Sequence, residues 1–146
     1  MSCSRLLGKK KPVYLMTAVD RATRCIVGVA VVWERTTEAL QTLLDTSVWA
    51  ATYFSDAFNL YLSGVYAGVH QAVSGKSQTY SVEADNAELR HYLARLARAS
   101  RCFSRSIEAL QAAVRLFVYA WNARQLYKRA HPRYPAHVRD FVSVPV

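Results

Sequence analysis

The chain is short of acids. Ten Asp and Glu stand against nineteen Lys and Arg, giving a formal net charge of +9 and a pI near 9.8. The shortage is sharpest between Arg90 and Arg105, where five arginines have no acid among them. Positive charge by itself fits nucleic acid and an anionic membrane equally well. Long apolar runs are lacking too, and none reaches the ~18–20 residues of a membrane span. Met1-Ser2-Cys3-Ser4-Arg5 leads into Lys9-Lys10-Lys11 without the apolar centre of a secretory signal. Cysteine is sparse. Cys3, Cys25 and Cys102 are odd in number, far apart and without metal-ligand spacing, which fits reduced thiols in the cytoplasm. No internal repeat or interdomain linker is visible. What is present is apolar residue: 52% of 146 residues, which excludes a disordered tail and supports one domain with a real core.

Patterning predicts a mixed α/β fold. Val13 to Val19 reads as a buried strand, Asp20 to Arg24 as a polar turn, and Cys25 to Trp33 as a second strand, close enough for an antiparallel hairpin. Thr36-Thr37-Glu38 has the signature of a helix start, followed by the stripe Leu40, Leu43 and Leu44. Ala51 to Asp56 reads as a third strand. Phe58, Tyr61, Leu62 and Val65 share one face of a helix predicted over 58–66. Gly64, Gly68 and Val73-Ser74-Gly75-Lys76-Ser77 are loop signals. From Val82 the chain reads as helical, with Leu89, Leu93, Leu96 and Ala97 as an apolar face. A second helix spans Ile107 to about Lys128, with the stripe Leu110, Val114, Phe117, Val118 and Trp121. Pro132, Pro135 and Pro145 make 131–146 an irregular tail.

Asp56 follows a strand and precedes a helix. Functional carboxylates of α/β sheets lie at such strand ends, and an Asp capping the next helix would look the same. Glu83 fits a metal ligand or an acid favoured by a helix N-terminus. Asn86 and Arg90 follow Glu83 by three and seven residues, so helical spacing puts all three on one face. Arg90, Arg95, Arg98, Arg101 and Arg105 are either a solvated face or a contact for DNA phosphates. Their lack of acids favours the second, because a polyanion relieves the self-repulsion of clustered charge. Lys9-Lys10-Lys11 reads as a solvated loop. His70 stands alone and reads as an ordinary surface or core residue. Carboxylates beside such a basic surface suggest metal-assisted chemistry on nucleic acid.

These residues together resemble the insertion-sequence-one family of bacterial DDE transposases. The run Lys76-Ser77-Gln78-Thr79-Tyr80-Ser81-Val82-Glu83, then Asn86 and Arg90, then Leu93 to Arg98 and Cys102 to Glu108, carries the most specific part. Tyr14 to Arg21, Val27-Gly28, Glu34-Arg35-Thr36, Tyr53-Phe54-Ser55-Asp56 and Tyr61 follow in register. The resemblance covers residues about 5–125. It implies an RNase H-like catalytic domain over 1–130. An acidic triad there would hold two Mg²⁺ (or Mn²⁺) ions for DNA strand cleavage and transfer. Asp56 corresponds to the second acid and Glu83 to the third, both metal ligands. Asn86 would support them, and Lys76, Arg90, Arg95, Arg98, Arg101 and Arg105 would contact DNA. The partners implied are transposon ends and target DNA, with a homo-oligomer on DNA. The family's first Asp falls in register just before Met1, Asp20 matches a turn residue, and Ala57-Phe58 replaces the usual Gly-Trp pair. The family's N-terminal DNA-binding part has no counterpart in this sequence. A catalytic domain that starts late, impaired by the missing acid, is one expectation. A non-catalytic DNA-binding remnant is the other.

Overall fold

The computed structural model describes residues 2–7, 12–73, 84, 87–89, 91–92 and 106–142. Its first sheet is antiparallel, with β1 (Ser2–Leu7), β2 (Pro12–Val19) and β3 (Ile26–Val32) in that order. The predicted hairpin is β2–β3. Its turn is closed by Asp20, whose carboxylate accepts from the Thr23 N–H at 2.9 Å and from the Thr23 hydroxyl. Those bonds, the hydroxyl's first, hold the Asp20 carboxyl below its ordinary pKa. Arg24, with φ 63°, takes the left-handed residue that ends the turn. β1 was not legible as a strand, because Ser-Cys-Ser-Arg offers no apolar alternation.

One bulge settles which side chains face which layer. Ala18 pairs with Gly28 but Val19 pairs with Ile26, so Val27 is an extra residue on β3. The insertion turns Ile26 back to the face that holds Val29 and Val31, while Val27, Ala30 and Val32 face the other way. The first face carries Val13, Leu15, Ile26 and Val31 and is covered by α3 (Ile107–Ala130) through Leu110, Val114, Phe117, Ala120 and Trp121. Leu89 joins this core, and Ala84, 87–89, His91 and Tyr92 are helical, as predicted. The other residues of the helix predicted from Val82 lie outside the described residues. The opposite face carries Met16 and Ala18 and is covered by α1 (Thr37–Thr46) through Leu40, Leu43 and Leu44. The Thr36 hydroxyl accepts the Ala39 N–H at 3.2 Å, the predicted cap. Gly28 lies directly beneath the end of α1. A Cβ there would collide with Ser47 Oγ and press on Leu43.

The second sheet is parallel, with β4 (Thr52–Asp56) against β5 (Val69–Val73). A parallel pair needs a crossover, and residues 57–68 supply it. Here the helix predicted over 58–66 is corrected. Only one turn forms, α2 (Asn59–Leu62), and of the proposed face only Tyr61 is buried. Phe58, Leu62 and Val65 are exposed. The cause is the return path: Gly68 lies against the carbonyls of Ala50 and Ala51, and Val69 N–H donates to Ala51 O at 2.9 Å. A helix running to 66 could not bring the chain back to that edge. Val73, read as the start of a loop, ends β5, and Ser74 to Ser77 lie outside the described residues.

The segment expected as an irregular tail folds back. A 3-10 turn, Val138–Phe141, packs on α3, burying Ala136 and Val138. Arg124 Nε donates to Ala136 O at 2.9 Å, and the Tyr127 and Phe141 rings lie 5.6 Å apart. Among the described residues, no helix is long and apolar enough to cross a membrane.

Candidate functional site

β4 alternates. Tyr53 and Ser55 point inward, and Ser55 is fully buried, while Asp56 at the strand end is exposed. One Asp56 oxygen accepts the Phe58 N–H at 3.2 Å and shapes the turn into α2. The capping alternative is therefore partly realised, although the N-cap of α2 is Phe58 and has no side-chain bond of its own. The second carboxylate oxygen has no hydrogen-bond partner among the described residues.

Behind Asp56 lies a chain of contacts that sequence reading missed. Ser55 Oγ donates to the Asp56 carbonyl at 2.8 Å and lies 2.8 Å from His70 Nε2. The serine has one proton, already directed at that carbonyl. The histidine Nε2–H is therefore the donor of the second bond. His70 stacks on Tyr66, ring centres 4.0 Å apart and 9° from parallel. Tyr66 leans on Tyr53 at 5.2 Å, and its hydroxyl donates to Tyr61 O at 2.7 Å. Burial pushes the Tyr66 hydroxyl up to about 12 and holds His70 below its ordinary value. The last backbone unit of β4 is thus tied to β5 by a neutral imidazole. Nothing in the sequence marks this pair, because only the register Tyr53↔His70 brings residues 55 and 70 together.

Two arginines flank the strand end. Arg21 from the β2–β3 turn lies 4.7 Å over the Phe54 ring. Arg35, before α1, lies 4.7 Å from both the Tyr14 and Phe58 rings. Phe54 and Phe58 are two residues before and two residues after Asp56. Each carries a guanidinium on its π-face, where cation–π attraction holds it. The rings two residues before and after the exposed carboxylate thus each carry a positive charge. Both arginines fall in stretches that match the family register, yet nothing in their spacing distinguishes them from solvated charge.

Of the predicted site residues, Asp56 is placed. Glu83, Asn86, Lys76, Arg90, Arg95, Arg98, Arg101 and Arg105 lie outside the described residues. Among the described residues, no three His, Cys, Asp or Glu side chains group to hold a metal ion. Asp56 presents an exposed carboxylate oxygen at the strand end, the hard donor type that Mg²⁺ and Mn²⁺ take.

A model of the IS1 transposase family matches residues 4–123. Insertion element IS1 protein InsB from Shigella flexneri is 35% identical over 102 residues, spanning 68% of this chain and 76% of that protein. No solved structure matches the chain.

Proposed function

Since the chain belongs to the IS1 transposase family and so has a role in DNA transposition, we propose that it is an RNase H-like domain in which Asp56 is one of the acids of a site for DNA strand cleavage and transfer. The observation that carries the proposal is the strand-end carboxylate itself. It is exposed, has one oxygen without a partner among the described residues, stands on a backbone held by Ser55 and His70, and lies between Phe54 and Phe58, whose rings carry Arg21 and Arg35. The antiparallel sheet, the helix and the following strand-end acid support an RNase H-like arrangement.

Asp56 and Glu83 would hold the divalent ions, with Asn86 beside them. When bound, such ions polarise phosphoryl oxygens and make bound water acidic enough to attack. The chain's own part is positioning. The Ser55–His70 contact keeps the Asp56 backbone from drifting, which matters because a displacement near 1 Å costs about a hundredfold in rate. Arg21 and Arg35 would receive the phosphates on either side, and the arginines of 90–105 would hold flanking DNA.

Asp56 and Glu83 are read as two of the three acids of the family's triad. The second reading is a DNA-binding protein without strand chemistry. Mg²⁺- or Mn²⁺-dependent cleavage and joining of DNA bearing the element's ends separates the two. The 146-residue chain should be nearly inactive. A version extended upstream with an Asp on the first strand should be active, and Asp56→Asn or Glu83→Gln should abolish that activity. Full activity of the 146-residue chain would refute the acid-triad argument. An inactive extended version would favour the binding protein.

A further inference from the structure

Residues 124–142 lie beyond the family match, yet they are folded onto the core. They carry Lys128, Arg129, Arg133 and Arg139, all exposed. The β2–β3 turn adds Arg21 and Arg24 at the same end of the molecule, because Arg129 Nη1 donates to Ala22 O at 3.3 Å and Trp121 Nε1 donates to Arg24 O at 3.0 Å. Among the described residues, these segments hold two acids, and both carboxylates are engaged by turns. Asp20 accepts from Thr23, and Asp140 accepts the His137 N–H at 2.9 Å. Six cations against two carboxylates place four of the chain's nine excess positive charges here.

Helix electrostatics explain part of this. Lys128 and Arg129 lie in the last turn of α3, where cations meet the negative end of the helix dipole. Arg133 and Arg139 lie past the helix end and gain nothing from it. Lys128, Arg133 and Arg139 make no ion pair with a described residue, whereas Arg124 pairs with Glu88 at 3.6 Å. Aromatic rings are interleaved: Tyr127 stacks on His131 at 4.6 Å, and Tyr134 is 64% exposed beside it. The surface also connects with the candidate site. Arg21 covers Phe54, and Phe54 and Asp56 project from the same side of β4.

We propose that this end, formed by the 20–24 turn, the last turns of α3 and residues 132–141, is a second contact for the DNA phosphate backbone. It begins at Arg21, which covers Phe54 two residues before Asp56, and is built from other residues than the arginines of 90–105. The inference rests on the reading that DNA is handled at Asp56. Duplex DNA is favoured over an anionic membrane because the surface belongs to a chain of a transposase family.

The test is fluorescence anisotropy of the full chain with a short labelled duplex over a series of salt concentrations. Lys128→Ala/Arg133→Ala/Arg139→Ala should flatten the slope of log affinity against log salt by close to 3, at about 0.9 per phosphate contact. Arg133→Lys/Arg139→Lys should keep the slope, since a phosphate responds to the charge. The three alanines replace exposed side chains, so the melting curve should not move. An unchanged slope in this variant, with a flatter one in Arg95→Ala/Arg98→Ala, overturns the second contact and leaves the DNA reading standing. A parent chain that binds no duplex overturns both. Loss of binding to phosphatidylserine vesicles with DNA binding intact would make the surface a membrane contact and overturn the proposal.

Discussion

Ser55→Ala removes one oxygen from a fully buried site and tests the lock behind Asp56. The hydroxyl makes two hydrogen bonds, to the Asp56 carbonyl and with His70 Nε2, each 2.8 Å long. A neutral hydrogen bond contributes about 0.5–1.5 kcal/mol net, so their loss alone costs about 1–3 kcal/mol. The carbonyl and the imidazole N–H are then left short of partners in a place water does not reach freely, which places the change toward the upper half of that range. For a chain of this size, each kcal/mol lowers the melting temperature by roughly 2–4 °C. A fall of several degrees is therefore expected. Urea unfolding followed by near-ultraviolet circular dichroism measures the same change through the midpoint, with the m-value unaltered. Pairing Ser55→Ala with His70→Phe isolates the contact. The two single losses should exceed the double loss by about 1 kcal/mol, as interacting neighbours do. A single loss below about 0.5 kcal/mol, within the range of an ordinary surface substitution, or strict additivity in the cycle, would show that the contact does not hold β4 to β5.

His70 sets a pH dependence. Burial lowers its folded pKa, so the unfolded chain takes up the proton first. The stability from the neutral ring is present above about 6.5 and is lost as pH falls from there through the folded value. Urea midpoints between pH 8 and pH 5 should therefore fall more for the parent than for His70→Gln, and parallel curves would exclude the effect. Gly28→Ala should destabilise by about 1–3 kcal/mol through overpacking against Ser47 and Leu43. Adding Ser47→Gly should restore part of that, read by thermal melting. Asn122→Ala should cost about 1–3 kcal/mol, because its amide bonds both the N–H and the C=O of Ile26, at 2.8 and 2.9 Å. A change below about 0.5 kcal/mol in chemical denaturation would mean that water replaces the side chain there.

Much of the fold was legible because its signals are local. The β2–β3 hairpin, the Thr36 cap with its leucine stripe, and the apolar stripe of the last helix all depend on residues within a few positions of one another. The failures are equally specific. Phe58, Tyr61, Leu62 and Val65 have helical spacing, but the close approach of Gly68 to Ala50 and Ala51 decides that segment. β5 reads Val-His-Gln-Ala-Val, short and mostly exposed, and nothing local announces its parallel pairing with β4. At the site, Asp56 was readable from its strand-end position and the family register. Its supports were not, because Ser55–His70, Arg21–Phe54 and Arg35–Phe58 exist only once separate elements have met. The docking of 136–141 was hidden by the prolines around it, which correctly indicated irregular backbone but carried no information about burial.

The two-stranded ribbon of β4 and β5 has a dynamic consequence. Among the described residues its ladder hydrogen bonds join only these two strands, parallel pairing is the weaker kind, and β5 is mostly exposed. The antiparallel sheet, by contrast, lies between two helical layers. Opening free energies within one protein range from near zero to the global value, and the ribbon belongs near the lower end. Its amides should exchange with solvent by local opening, ahead of those in β2 and β3. The strand that bears Asp56 would then be released and re-formed many times within the lifetime of a core that stays folded. Warming or mild denaturant would release the end of this strand first, while most of the molecule kept its shape.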